Sequence, residues 1–106
     1  MNPSKQKGNR FERELVEIAK AHSMDAKRAW GSNGKAMGLH EEVDIELIVG
    51  DKKLHLQAKR RARLPSYIKP NEHVQAQVIR EDRGIAYVVL EYDEYLLLLK
   101  EAYDKT

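Results

Sequence analysis

Cysteine is absent from the 106 residues, so neither a disulfide frame nor a thiolate zinc site exists, and a cytoplasmic setting is the expectation. The four histidines, at positions 22, 40, 55 and 73, are too scattered to form a zinc motif. Long hydrophobic runs are also missing. Leu96–Leu99 is far too short to span a bilayer, and no apolar stretch follows the basic start, so neither a membrane partner nor a signal peptide is expected. Excess charge of one sign is slight, with a formal net charge of +2. Its distribution says more than its sum. Lys5, Lys7, Arg10 and Arg13 crowd the start and Lys52, Lys53, Lys59, Arg60, Arg61 and Arg63 the middle, whereas Glu91, Asp93, Glu94, Glu101 and Asp104 make the end acidic. One basic region could meet phosphate. The length suits one domain with one modest core, here 1–106, with residues 1–8 expected to be mobile.

Phe11, Leu15, Ile18, Ala19 and His22 recur at helical spacing, describe one buried stripe and predict a first helix over 9–22, with Glu12 beside that stripe, in line with Val16 and Ala19. A weak strand over 25–30 follows. Gly31-Ser32-Asn33-Gly34-Lys35 is the glycine-rich loop, but it lacks the spacing and terminal Lys-Ser/Thr of a P-loop, which disfavours a nucleotide triphosphatase. Strands over 43–49 and 53–60 flank the Gly50-Asp51-Lys52 turn. After a proline-bracketed loop at 65–70, Val74, Val78 and Ile79 predict a second helix ending near Arg83-Gly84. Ile85–Tyr92 then reads as an interior strand joined through a parallel, right-handed crossover. Residues 94–103 suit a last helix capped by Asp93, although Tyr95–Leu99 alone could be a strand.

The chemistry concentrates in the hairpin. Alternation places Asp44 and Glu46 on one face of its first strand and Gln57 and Lys59 on one face of its second, with His55 beside Gln57. Phosphodiester hydrolysis needs charge neutralised on the phosphate and a water made nucleophilic, which oxygen-ligated Mg²⁺ can do. Asp44 and Glu12 are candidate anionic ligands, Gln57 offers a side-chain carbonyl and Ala58 a backbone carbonyl. Lys59 could orient the attacking water and stabilise the transition state. Each also has a plainer reading: Asp44 could pair with a lysine across the hairpin, Glu12 could make surface pairs, and His55 could be structural. The set is more specific than its members. Arg60, Arg61 and Arg63 follow Lys59 where a substrate backbone would pass, and Trp30 and Tyr67 could stack on bases or merely pack.

Lys7-Gly8-Asn9-Arg10-Phe11-Glu12-Arg13-Glu14-Leu15-Val16, Arg28-Ala29-Trp30-Gly31-Ser32, Val43-Asp44-Ile45 and Gln57-Ala58-Lys59 occur in an order that resembles the archaeal-type Holliday-junction resolvases, phage members included, of the PD-(D/E)xK nuclease superfamily. The resemblance covers roughly the first sixty residues. It implies an α/β restriction-endonuclease-like fold, a central mixed sheet flanked by helices, and a homodimer that nicks opposed strands of a four-way junction with Mg²⁺, Mn²⁺ substituting, and with no organic cofactor. By position Glu12 and Asp44 become metal carboxylates and Lys59 the catalytic lysine. Arg13 becomes a phosphate contact and Ser32 a residue near the scissile strand, and Lys7, Arg10, Arg28 and Lys35 join the expected DNA contacts. Val43 replaces the proline of the motif name at a position that supplies no ligand. Gln57 replaces the usual glutamate, as in the Mrr-like branch, which keeps a less structure-selective DNase and an inactive junction-binding protein as alternatives.

Overall fold

The computed structural model describes residues 3–29 and 38–104, the side chains of 3–7 excepted. Its contacts gather into two compact units, one comprising Met1–Arg60 with Leu96–Thr106 and the other Arg61–Tyr95.

In the first unit, helix α1 (Pro3–Ala21) begins at Pro3 rather than at Asn9, so the segment expected to be mobile is helical from Pro3. Proline is tolerated there because the first helical turn leaves its N–H groups unbonded anyway. Glu12, Val16 and Ala19 are buried along one stripe, while Phe11, Leu15 and Ile18 border it. The helix ends in a Schellman motif, in which Met24 N–H bonds to the Ala19 carbonyl at 3.0 Å and Ser23 N–H to that of Lys20 at 2.9 Å. Ser23 takes the left-handed conformation that this motif demands, with φ 60°.

Strands β1 (Asp25–Arg28), β2 (Ile45–Val49) and β3 (Lys52–Leu56) form an antiparallel sheet in sequence order. The hairpin pairs Val49 with Lys52 across a two-residue turn, where Gly50 has φ 61°. Glycine is required twice over. It supplies the positive φ of this turn class, and a Cβ would collide with the Tyr103 carbonyl. Ile45, Leu47 and Val49 are buried and share a face with Ala26, Leu54 and Leu56. Period-2 alternation thus gives the core its central layer, and a one-residue slip would expose it. Helix α2 (Tyr92–Tyr103) contributes Leu96 and Leu99 to the core, and Lys100 Nζ donates to the His22 carbonyl at 2.9 Å. A helix here excludes the strand alternative. Asp93 lies within its first turn rather than preceding it.

The second unit departs from expectation. Residues expected to form a helix over 74–83 form strand β4 (Ala76–Ile79), which pairs antiparallel with β5 (Tyr87–Leu90), so no parallel crossover connects them. Val74 and Val78 are four apart, a spacing that fits a helical turn and strand alternation equally. Local chemistry decides between them. Asn71 Oδ1 accepts hydrogen bonds from His73 N–H at 2.8 Å and Val74 N–H at 3.1 Å, forming a side-chain turn where a helix would have to start. Glu81–Gly84 closes a second turn, with Arg83 at φ 61°. Nor is β5 a sheet interior, because Tyr87 and Val88 are exposed. The chain is α/β, and the described strands pair antiparallel throughout.

Candidate active site

The ends of the three strands meet where β1 finishes, β2 begins and β3 finishes. Ala29 N–H donates to the Asp44 carbonyl at 2.8 Å and Asp44 N–H donates to the Leu56 carbonyl at 2.9 Å, so the Asp44 backbone is held from both sides. Its side chain takes a further role. Regular pairing of β3 stops at Leu56, opposite Ile45, and Ala58 N–H donates instead to Asp44 Oδ2 at 2.8 Å. A carboxylate has replaced a backbone carbonyl as acceptor, which pins Gln57-Ala58-Lys59 to Asp44 as those residues leave the sheet. The expected strand to position 60 is therefore shorter. Proximity to Asp44 comes from this bond and not from continued alternation.

Glu12 reaches the same end of the sheet from α1, with only 5% of its surface exposed. Arg28 Nε donates to Glu12 Oε1 at 3.2 Å and its Nη2 to Asn9 Oδ1 at 3.3 Å. Asn9 and Glu12 are one turn apart, so one guanidinium clamps both. A buried carboxylate needs such compensation, since leaving it alone would cost several kcal/mol. Arg28, expected as a DNA contact, thus lies beside the acidic residues.

Glu46, one register step behind Asp44, has a different fate. It is 5% exposed and stands between Lys27 and His55, its partners on the neighbouring strands. His55 Nε2 lies 2.9 Å from its Oε2 and Lys27 Nζ 3.6 Å from its Oε1. The hydrogen bond from His55, aided by the charges of Lys27 and Lys53, holds the Glu46 carboxyl below the usual carboxylate range against the opposing effect of burial. His55 is thereby given a structural partner. The sequence placed Glu46 on the right face without showing its burial or its pair, and Asn9, though part of the Lys7–Val16 motif, was given no role. The available signal for Asn9 was its spacing of one turn from Glu12.

These contacts join Glu12 to Arg28 and Asp44 to the Gln57–Lys59 segment, and the bond from Ala29 N–H to the Asp44 carbonyl links the two backbones. Gln57 and Lys59 are exposed, and neither makes a hydrogen bond or ion pair among the described residues. Arg10, Arg13 and Arg60 are exposed on this unit, and Arg61 and Arg63 on the other. Ser32, Lys35 and Trp30, with the side chain of Lys7, lie outside the described residues. Among those described, no three or more His, Cys, Asp or Glu residues are grouped to hold a metal ion. Two carboxylates with an amide and a backbone carbonyl remain as hard oxygen donors. That composition fits Mg²⁺, which is commonly held by one or two carboxylates with water and phosphate completing its shell.

No helix among the described residues is long and apolar enough to cross a membrane. Comparison with known proteins found no match among curated proteins or solved structures. The sequence model described as archaeal Holliday junction resolvase (Hjc) matches residues 3–102, from the start of α1 to the last turn of α2. A match of that length takes in both compact units and every strand, and accords with an α/β restriction-endonuclease-like fold. The chain belongs to the archaeal Holliday junction resolvase family.

Proposed function

We propose that this chain is a Mg²⁺-dependent endonuclease that resolves four-way DNA junctions by paired nicks, acting as a homodimer, with 1–106 working as a single nuclease domain. A two-fold dimer suits a substrate that presents two equivalent cleavage points. The observation that carries the reading is the Asp44 carboxylate bonded to Ala58 N–H inside Gln57-Ala58-Lys59, beside the buried Glu12–Arg28 pair. The cytoplasm, or a host's cytoplasm for a phage-encoded chain, is the proposed setting.

Glu12, Asp44, the Gln57 side-chain carbonyl and the Ala58 carbonyl would hold the ion. Bound Mg²⁺, with Mn²⁺ as substitute, supplies charge neutralisation at the scissile phosphate and activation of the attacking water. Asp44 would offer its second oxygen to the ion, since Oδ2 accepts the Ala58 N–H. Arg28 offsets the Glu12 charge before any cation arrives. Lys59 orients the water and places a positive charge where the phosphate gains negative charge in the transition state. Lys7, Arg10, Arg13, Ser32, Lys35, Arg60, Arg61 and Arg63 contact the sugar–phosphate backbone, which positions the substrate without reading its sequence.

Labelled four-way junctions incubated with Mg²⁺ test the proposal. Paired symmetric nicks are expected, and Asp44→Asn should abolish them. Absence of nicks, or equal nicking by Asp44→Asn, ends it. Gln57 is neutral where a carboxylate is the simpler ligand, which motivates a second reading as a less structure-selective DNase. Competition between junction and linear duplex at equal concentration separates the two, because strong junction preference excludes the second.

A further inference from the structure

Between Asp51 and Glu72 the chain carries no acidic residue, yet it carries Lys52, Lys53, Lys59, Arg60, Arg61, Arg63 and Lys69. Inside that basic stretch sits an apolar tip. Leu64 and Tyr67 are 50% and 68% exposed, Pro65 separates them from a free coil, and Ser66–Ile68 forms a single 3-10 turn. Arg61, Arg63 and Lys69 are exposed and form no ion pair among the described residues.

The tip is held in shape. Pro65 has φ −55° and ψ 138°, Ile68 N–H donates to the Pro65 carbonyl at 3.1 Å, and Lys69 N–H donates to that of Ser66 at 3.3 Å. Gln77 Nε2, from β4, donates to the Lys69 carbonyl at 3.2 Å. A pinned turn that projects a tyrosine into solvent loses little backbone freedom when the ring meets a flat partner. The surrounding cations select a polyanion. A phosphate backbone alone would satisfy them but would leave the ring and Leu64 unused. Intact duplex hides its base faces by stacking, whereas a branch point presents terminal base pairs that an aromatic ring can cover.

We infer that Leu64–Tyr67 is a stacking tip that seats Tyr67 on the base-pair face exposed at a DNA branch point, with Arg61, Arg63 and Lys69 on the flanking phosphates. This deepens the proposed function and rests on its junction substrate. Tyr67 selects the branch and does no chemistry.

The test titrates the full chain, with EDTA present to prevent cleavage, into a four-way junction carrying 2-aminopurine at the crossover and into a linear duplex of the same sequence. Wild type should favour the junction and change its fluorescence. Tyr67→Ala should weaken junction binding about tenfold and erase that change, with duplex binding unaltered, whereas Tyr67→Trp keeps both. Because the ring is mostly exposed, circular dichroism of Tyr67→Ala should match wild type. Unaltered junction affinity and fluorescence in Tyr67→Ala overturns the inference while leaving the proposed function intact. Equal weakening on junction and duplex overturns it as well, and unaltered binding with a lowered sedimentation coefficient assigns the tip to self-association instead. If wild type shows no junction preference, the function itself fails, whatever Tyr67 does.

Discussion

In the unit formed by Met1–Arg60 and Leu96–Thr106, β2 buries Ile45, Leu47 and Val49, and the Asp44 and Glu12 carboxylates at the sheet end are tied to Ala58 and Arg28. In the Arg61–Tyr95 unit, Val78 and Val88 face each other across the β4–β5 hairpin while 67% and 60% exposed. Both regions use the same secondary structure, but only the first converts alternation into a closed layer. Burial there locks register, so a carboxylate next to a core position can be held to the precision that catalysis needs. The hairpin instead leaves Val78, Tyr87 and Val88 exposed, an apolar surface that suits a partner better than a core.

The comparison breaks most sharply at Asp44. Asp44→Asn keeps an acceptor for Ala58 N–H and should preserve the melting curve while reducing junction cleavage by about a hundredfold or more. Asp44→Ala should match that loss and also lower stability by about 1–3 kcal/mol, because a half-buried N–H loses its acceptor. If Asp44→Ala melts like wild type, the pinning role is wrong.

Next in size is the contrast between layers. Leu47→Ala should cost about 2–5 kcal/mol in denaturant unfolding, and Val88→Ala within about 0.5 kcal/mol. Similar costs at both positions would mean that the hairpin is covered in solution. Arg28→Ala removes the partner of a buried carboxylate and should cost about 1–3 kcal/mol, reduced from the fully buried case because the Arg28 side chain is 24% exposed. Glu12→Gln added to that variant should restore part of the loss.

Glu46 supplies a pH test. Its folded pKa lies below the unfolded value of about 4.3, so its stabilising contribution is complete above that value and is lost as pH falls through the folded pKa. Melting temperature followed from pH 6 downward should therefore fall more steeply for wild type than for Glu46→Gln. Parallel curves would show that His55 does not favour the charged form. Ser23→Gly acts in the opposite direction and should stabilise by up to about 1 kcal/mol by relieving the left-handed serine at the end of α1, which thermal melts would show.

Legibility followed the same division. The Gly50 hairpin could be read because its alternation had one interpretation and a buried face enforced it. The stripe expected through Phe11, Leu15, Ile18, Ala19 and His22, by contrast, borders the buried one through Glu12, Val16 and Ala19 and shares only Ala19 with it. Asp44 and Glu12 could be nominated from residue type, but only contacts separated Asp44 from Glu46. Two acids on one strand face are indistinguishable in sequence until one is found against Ala58 N–H and the other against His55. Residues 74–83 misled because Val74 and Val78 satisfy both periods, and the Asn71 turn that settles the matter acts through a side chain. Arg28 was nominated only as a substrate contact, because an arginine beside a loop does not announce the internal carboxylate that it pairs with.

Sequence alone determined the absence of thiol chemistry, the composition of the acid, amide and lysine set, and the order of motifs that carries the family resemblance, because these depend on residue identity and local spacing. Tertiary structure decided which acid pins the Gln57–Lys59 segment, which acid is consumed by a histidine pair, and that the chain after Pro70 pairs as a hairpin. The first two outcomes depend on burial and on hydrogen bonds across the β2–β3 hairpin, whose partners are chosen only when the backbone has closed around them. The third depends on a local turn made by the Asn71 side chain.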